Sequence, residues 1–306
     1  MKFLLVRKKV VKEYLKISFK SETPLINNTQ EEKMVKKNDK LIITATVAPS
    51  WIYPDVKNVP RNADEVIESV VNCCKAGASV AHIHGSRNFT DLQWKKVIEG
   101  VRSSCDVIVQ VGLSALQIPE RMGAVKLRPD MLSIILNHHD EAFPKTTMSL
   151  LHNRDELEEY AKLCSKYRIK PEWEVWHAGS VWNLDFLVNK KLIKPPHFVT
   201  LFFDWPGGIW SPATPEELIH RVRQQRKDSI CSVSIMSHAQ TGIATMSMIM
   251  GHHLRVGTED NPYYFPRMLA KDNAELVARM VRIASELGRE VATPTEARQM
   301  IGVENS

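Results

Sequence analysis

After residue 40 the chain alternates between short apolar, β-rich runs and longer stretches whose apolar positions recur every three or four residues. The runs are Leu41–Val47, Ser79–Ile83, Asp106–Val111, Met131–Leu136, Glu172–Trp176, His197–Phe203, Ile230–Ile235 and His252–Val256. Near-continuous apolar runs of this length read as strands of a parallel sheet covered on both faces. Between them, Asp64–Lys75 places Val66, Ile67, Val70 and Val71 at helical spacing and stops at Gly77. Asp91–Val101 starts on an aspartate cap, and Asp155–Tyr167, Pro215–Gln225 and Asp272–Leu287 follow, the last closing at Gly288. Eight such units at about 30 residues each match an α/β fold, the (β/α)8 TIM barrel. The rival is a doubly wound sheet. No strand is followed by GxGxxG or GxxxxGK[ST], which removes the usual dinucleotide-binding and P-loop forms of that rival.

Charge divides the chain unevenly. Of 306 residues, 41 are basic and 35 acidic, a net charge of +6. Residues 1–40 hold 11 basic and 5 acidic groups, whereas 41–306 hold 30 of each. The expected organisation is a basic, flexible N-terminal extension at 1–40 and a barrel domain at 41–306. The balanced body excludes nucleic acid as a partner. Leu4, Leu5, Val10, Val11, Leu15 and Ile17 give the extension some helical amphipathicity, so a surface-binding helix is the alternative to a solvated tail; Glu13 and scarce arginine argue against an import signal. Met34 is an alternative start. No apolar run approaches ~18 residues, which argues against a membrane span. Cys73, Cys74, Cys105, Cys164 and Cys231 form no CxxC and follow no secretory signal, so reduced thiols and a cytoplasmic location are expected.

The sharpest chemical feature is Ala81-His82-Ile83-His84-Gly85. Residues i and i+2 of a strand share a face, so both imidazoles point one way from a strand's C-terminal end, where barrels build their sites. Two neutral imidazoles on one face begin a Zn2+ site; an exposed structural pair is the alternative. The eighth run adds His253 and Arg255 on one face, with Glu259 and Asp260 just beyond. In a closed barrel the eighth and second strands both flank the first, about 10 Å apart at their tops. A metal between them is within reach of two histidines and Glu259, a His2Glu set with open positions; a solvated turn is the other reading of Glu259-Asp260. On the fifth run Glu172, Glu174 and Trp176 share a face. Two buried carboxylates are expensive unless paired. Either both sit at the barrel end bonded to Arg or Lys, or Glu174 pairs with Arg255 through two bonds. Weaker features are the adjacent pair His138-His139, His252 beside His253, Cys73-Cys74 on a helix, Met246, Met248 and Met250 packing a helix into the core, and the turn Pro206-Gly207-Gly208. No GxSxG elbow is present.

These residues, with several short landmarks in order, resemble the β-keto acid cleavage enzyme family over about residues 41–306. The landmarks are Leu41-Ile42-Ile43-Thr44-Ala45, Ala76-Gly77-Ala78 before His82-Ile83-His84, Lys170-Pro171-Glu172-Trp173-Glu174-Val175, Pro206-Gly207-Gly208 and Arg255-Val256-Gly257-Thr258-Glu259-Asp260-Asn261. Glu286-Leu287-Gly288-Arg289-Glu290 and Ala292-Thr293-Pro294 complete them. The resemblance implies a zinc-bearing barrel that takes a β-keto acid and acetyl-CoA to acetoacetate and a new acyl-CoA, as a homo-oligomer, usually a tetramer. It implies His82, His84 and Glu259 as zinc ligands, Glu174, Arg255 and Asp260 as the catalytic group with Asp260 the proton acceptor, and Ser133 near the substrate. Ser114 and Trp51 are further candidate substrate contacts. Two departures stand out. The family's Ser/Thr-Gly-Gly loop after strand three is replaced by Gln110-Val111-Gly112-Leu113-Ser114-Ala115. The acid that some members carry after strand one is missing from Ala48-Pro49-Ser50-Trp51-Ile52-Tyr53, which favours an apolar or aromatic-contacting substrate over an amino-bearing one. Another zinc hydrolase or aldol-type lyase on the same barrel, or a catalytically silent zinc-binding barrel, are the alternatives.

Overall fold

The computed structural model describes residues 40–48, 56–57, 59–84, 89–114, 116–136, 138–142, 147–205 and 211–304. The expectations placed on residues 1–39, on Met34, on Trp51 and on Pro206-Gly207-Gly208 lie outside these.

Eight parallel strands close into a barrel: β1 (Ile43–Val47), β2 (Val80–Ile83), β3 (Ile108–Val111), β4 (Met131–Ile135), β7 (Lys170–Val175), β8 (His197–Phe203), β9 (Ser229–Ile235) and β10 (His253–Gly257). Closure joins β1 to β10, with Thr44 opposite Arg255 and Thr46 opposite Gly257, and β1 to β2, with Thr46 opposite His82. That pairing excludes the doubly wound alternative and leaves the barrel no free edge.

Helices α1 (Ala63–Ala76), α2 (Asp91–Ser104), α3 (Ile118–Lys126), α4 (Arg154–Tyr167), α5 (Val181–Asn189), α6 (Pro215–Arg223), α7 (Gln240–Ile249) and α8 (Asn273–Glu286) cover the outside. Each puts one apolar stripe on the strands, as α1 does with Val66 and Val70 and α8 with Leu276, Val277 and Met280. Fully burying each such side chain contributes about 1.5–3 kcal/mol. The ends follow their sequence signals. Asn62 caps α1 by accepting from the Glu65 amide, and Gly77 closes it in the left-handed region at φ 111°. Helix α2 is capped by Thr90 in a capping box with Gln93, so Asp91 is its first helical residue and not its cap.

The barrel interior is layered. Ile42, Val80, Ile108, Met131 and Phe198 plug its N-terminal end, where α9 (Pro294–Ile301) closes the floor with Ala297 and Ile301. Above that plug the inward side chains turn polar: Thr44, Thr46, His82, Gln110, Ser133, Glu172, Glu174, Thr200, Ser232, Ser234 and Arg255 are all buried. Two hairpins add to the barrel: β5 (His138–Ala142) pairs antiparallel with β6 (Thr147–Leu151), and β11 (Tyr263–Phe265) with β12 (Met268–Leu269). The His138-His139 pair therefore opens a strand. All five cysteines are free thiols, and no helix of the described residues is long and apolar enough to cross a membrane.

Candidate metal and carboxylate centre

The strand register fixes which side chains meet. Gly257, Thr46, His82 and Gln110 lie in one row across β10, β1, β2 and β3. A Cβ on Gly257 would run into the Thr46 backbone, 2.8 Å from its nitrogen, so glycine alone lets β10 end close against β1. The chain then folds back, the Asp260 and Asn261 amides both donating to the Gly257 carbonyl at 3.2 and 3.0 Å. The Thr258 amide donates to Asn273 at 2.8 Å. This turn carries Glu259 over the barrel mouth toward β2.

His82 Nε2, His84 Nε2 and a Glu259 oxygen converge, all within 4.8 Å of one another, and all three residues are buried. The imidazole nitrogens face each other at 2.9 Å, and the carboxylate stands 3.6 Å from His82 and 3.3 Å from His84. Neighbouring groups that can only donate decide the tautomers. Arg255 Nη1 points at His82 Nε2 (3.3 Å) and the Leu113 amide at His84 Nε2 (3.3 Å). Both Nε2 atoms are therefore unprotonated acceptors, and His82 carries its proton on Nδ1, where it donates to Gln110 Oε1 at 2.8 Å. A ligating histidine whose other nitrogen donates to an oxygen is the arrangement that metal centres use. Burial, then Arg255 and Arg121, push His84 down to about 3; burial and Arg255 also hold His82 well below the ordinary histidine range. Both rings stay neutral, as ligands must be. The donor set fits a divalent cation of the zinc type.

Arg255 is the hub beside it. Its guanidinium holds Asp260 through two bonds, Nε to Oδ2 at 3.1 Å and Nη2 to Oδ1 at 2.9 Å, and reaches Glu259 Oε1 at 3.0 Å. Burial works against its charge, yet Asp260 and Glu259 outweigh it and raise its pKa above the ordinary arginine value. Ser234 adds a hydroxyl bond to Asp260 at 2.9 Å. The expected two-bond pairing of Glu174 with Arg255 is thus corrected: the turn after β10 folds Asp260 back onto the guanidinium first. Glu174 instead accepts from Ser114 (2.9 Å) and Trp176 Nε1 (3.1 Å). Burial and Glu172 raise the Glu174 carboxyl to about 7, against the pull of Arg255. Glu172 is satisfied by hydroxyls, Ser133 at 2.6 Å and Thr200, and not by Arg or Lys. Ser133 also lies 3.3 Å from His82 Nδ1. His253 stays out of the cluster and accepts the Ile42 amide at 3.1 Å.

The structure adds residues that pattern reading passed over: Gln110, Thr200 and Ser234 inside the mouth, and a buried aromatic group beside Glu174. Trp176 stacks on Phe202 at 4.3 Å, with Trp205 edge-on at 4.7 Å from Trp176, and the Arg255 guanidinium lies over Phe202 at 5.1 Å. The signal for the first three was available, since a polar residue at an inward position of an apolar run has to be paid for.

A family profile described as beta-keto acid cleavage enzyme matches residues 40–303. The 3-keto-5-aminohexanoate cleavage enzyme of Acetoanaerobium sticklandii is 32% identical over 279 residues, covering 87% of this chain and 99% of that protein. The 3,5-dioxohexanoate:acetyl-CoA acetone transferase of Paraburkholderia graminis is 24% identical, covering 86% and 95%. Among solved structures, apo ObcA superposes with a TM-score of 0.67 at 15% identity, over 82% of this chain and 66% of the ObcA chain, a likeness of fold. The chain belongs to the β-keto acid cleavage enzyme family.

Proposed function

We propose that this enzyme cleaves a β-keto acid with acetyl-CoA as co-substrate, giving acetoacetate and a new acyl-CoA, with Zn2+ held by His82, His84 and Glu259. The observation that carries the reading is the convergence of the two Nε2 atoms and a Glu259 oxygen within 4.8 Å of one another, with the Arg255–Asp260 pair touching the same cluster. Zinc bound there supplies Lewis-acid polarisation of the keto oxygen. Asp260, oriented by two arginine bonds and one serine bond, accepts the proton from the carbon next to that carbonyl. Arg255 orients Asp260 through its two bonds and adds positive charge where the enolate oxygen develops. Glu174 stands ready to exchange a proton near neutrality, and Ser133, Ser114 and Trp51 contact the substrate. The Trp176–Phe202–Trp205 group keeps water from the carboxylates and favours an apolar acyl chain. Ser114 bears on the silent alternative: the turn after β3 lacks the glycine pair but still presents a hydroxyl to Glu174. We place the enzyme in the cytoplasm as a homotetramer, with residues 1–40 a basic extension ahead of the barrel domain.

The test is a panel of β-keto acids incubated with zinc-loaded protein, with and without acetyl-CoA, followed by mass spectrometry. Acetoacetate formed only with acetyl-CoA supports the reading; silence across the panel at full zinc occupancy refutes it. Sedimentation and native mass spectrometry test the tetramer.

A further inference from the structure

The turn after β3 is gripped by side chains that the chemistry above does not use. Arg121 of α3, His152 just before α4 and Tyr160 of α4 are buried together. Tyr160 packs edge-on to His152, 5.4 Å between ring centres, with the Arg121 guanidinium 5.3 Å from its own ring. Each donates to a carbonyl of the turn: Arg121 Nη2 to Gly112 at 2.9 Å, His152 Nε2 to Ser114 at 2.9 Å and the Tyr160 hydroxyl to Leu116 at 2.9 Å. A carbonyl can only accept, so His152 carries a proton on Nε2; Glu156 stands 2.9 Å behind its Nδ1. Arg121 also donates to the Ser133 carbonyl at 2.7 Å, strapping the turn to β4.

Three alternate carbonyls thus each have a dedicated buried donor, where an ordinary surface loop leaves such groups to water. The turn is one that needs holding. Leu113 sits in the left-handed region at φ 62°, a conformation that leucine keeps only when its surroundings impose it. What the turn delivers inward is the Ser114 hydroxyl on Glu174 and the Leu113 amide and Gly112 backbone against His84. Arg121 has no carboxylate at ion-pair distance among the described residues, and its bonds go to backbone oxygens. A buried charge spent on two carbonyls is costly for mere packing.

We propose that Arg121, His152 and Tyr160 are positioning residues: they lock the turn after β3 so that Ser114 orients Glu174 and the backbone at Gly112 and Leu113 fixes the His84 ring, without touching substrate. The Zn2+ and activity arms of the test rest on the function proposed above; the exchange arm does not.

The full-length protein is compared with His152→Leu, His152→Gln, whose amide reaches the Nε2 position, and Tyr160→Phe. Three quantities are read: amide exchange of peptides covering residues 112–117, Zn2+ affinity by chelator competition, and kcat and KM with acetyl-CoA and the β-keto acid that the unmodified protein turns over fastest. His152→Leu is expected to speed exchange at 112–117 about tenfold while α9 peptides stay unchanged. It should weaken Zn2+ binding about tenfold and lower kcat about 10–100-fold, with KM for acetyl-CoA unchanged. Tyr160→Phe moves the same quantities by less, and His152→Gln returns them close to the unmodified values. Should His152→Leu fail to fold, Tyr160→Phe carries the test. Unchanged exchange and Zn2+ affinity in the variant that folds, or a His152→Gln protein as impaired as His152→Leu, overturns the proposal. If the unmodified protein turns over no β-keto acid, the functional reading fails, and exchange still decides on the clamp.

Discussion

Replacing Gly112 by alanine tests the metal centre without touching a ligand. A Cβ at this position would stand 2.7 Å from His82 Nε2 and closer still to the Nε2 and Cδ2 atoms of His84. Ordinary carbon contacts begin near 3.5 Å, so the methyl group collides with the Nε2–Cδ2 edge of the His84 ring and crowds His82 Nε2. The His84 ring has to swing out by about an ångström, whereas zinc–nitrogen distances tolerate about ±0.2 Å. One of three protein ligands is lost. Structural zinc sites bind with about 10–16 kcal/mol spread over four ligands, so one ligand is worth on the order of 3 kcal/mol, or about 150-fold in affinity. Gly112→Ala should lower bound zinc after dialysis from about one equivalent to a trace, measured by elemental analysis, and raise the Kd about 10²-fold in a chelator competition. Gly242→Ala is the control: it lies in α7 and its Cβ meets nothing within 4 Å, so zinc is unaffected and helix propensity gains about 1 kcal/mol. Full zinc occupancy with Kd within threefold in Gly112→Ala would refute the placement of the metal between His82 and His84.

Three further outcomes follow from the same geometry. His82→Ala removes a ligand outright and should abolish most zinc binding in the same elemental analysis; unchanged occupancy would sink the ligand assignment. Asp260→Asn should keep zinc, slow kcat at least 10²-fold, and lower stability by about 3 kcal/mol because Arg255 loses one of its two buried counter-charges; undiminished kcat removes Asp260 from the base role. For Glu174 the sign of the pH effect is set by a carboxyl raised from 4.5 to about 7 by burial and Glu172. The folded state favours the protonated form, so this stability is complete below pH 4.5 and is lost as pH rises through about 7. Glu174→Gln mimics the protonated carboxyl, so its stability gain over the unmodified metal-free protein should grow across pH 4.5–7 and level off above, at about 3 kcal/mol. Denaturant unfolding at a series of pH values checks this, and a pH-independent difference contradicts it.

Much of the architecture is legible along the chain because strand burial on both faces writes uniform apolar runs, and all eight correspond to barrel strands. Once closure is assumed, His82, His84 and Glu259 follow from strand order alone. What was not legible has physical causes. Hairpin β5–β6 carries no uniform apolar run, its His138-His139-Asp140-Glu141 strand reading as loop by composition. Helix α9 was passed over although Thr293-Pro294-Thr295-Glu296 carries a capping box and a proline at the first helical position. Which carboxylate Arg255 holds could not be read from spacing. Glu174, Glu259 and Asp260 are all candidates for it, and only the backbone turn at Gly257 puts Asp260 in place for two bonds.

The division of the barrel interior explains why so many charges can be buried together. The apolar plug of Ile42, Val80, Ile108, Met131 and Phe198 fills the floor, leaving the burden of closing the barrel to side chains with nothing to satisfy. The upper interior is then free to be polar, provided each charge finds a partner on a neighbouring strand or in the turn that follows its own. Arg255 takes Asp260 and Glu259, Glu172 takes two hydroxyls, and Glu174 takes Ser114 and the Trp176 indole. These groups come from β3, β4, β7, β8 and β10 or the turns that follow them. The hydrogen bonds to Glu172 and Ser114's bond to Glu174 cross between strands, so no one strand completes the mouth by itself. A centre assembled this way is held in place before ligands arrive, since no carboxylate can move without leaving a buried hydroxyl, indole or guanidinium without its partner. In the turn after β3, Leu113 and Ser114 set what faces the centre from outside the strands, the Leu113 amide against His84 and the Ser114 hydroxyl on Glu174.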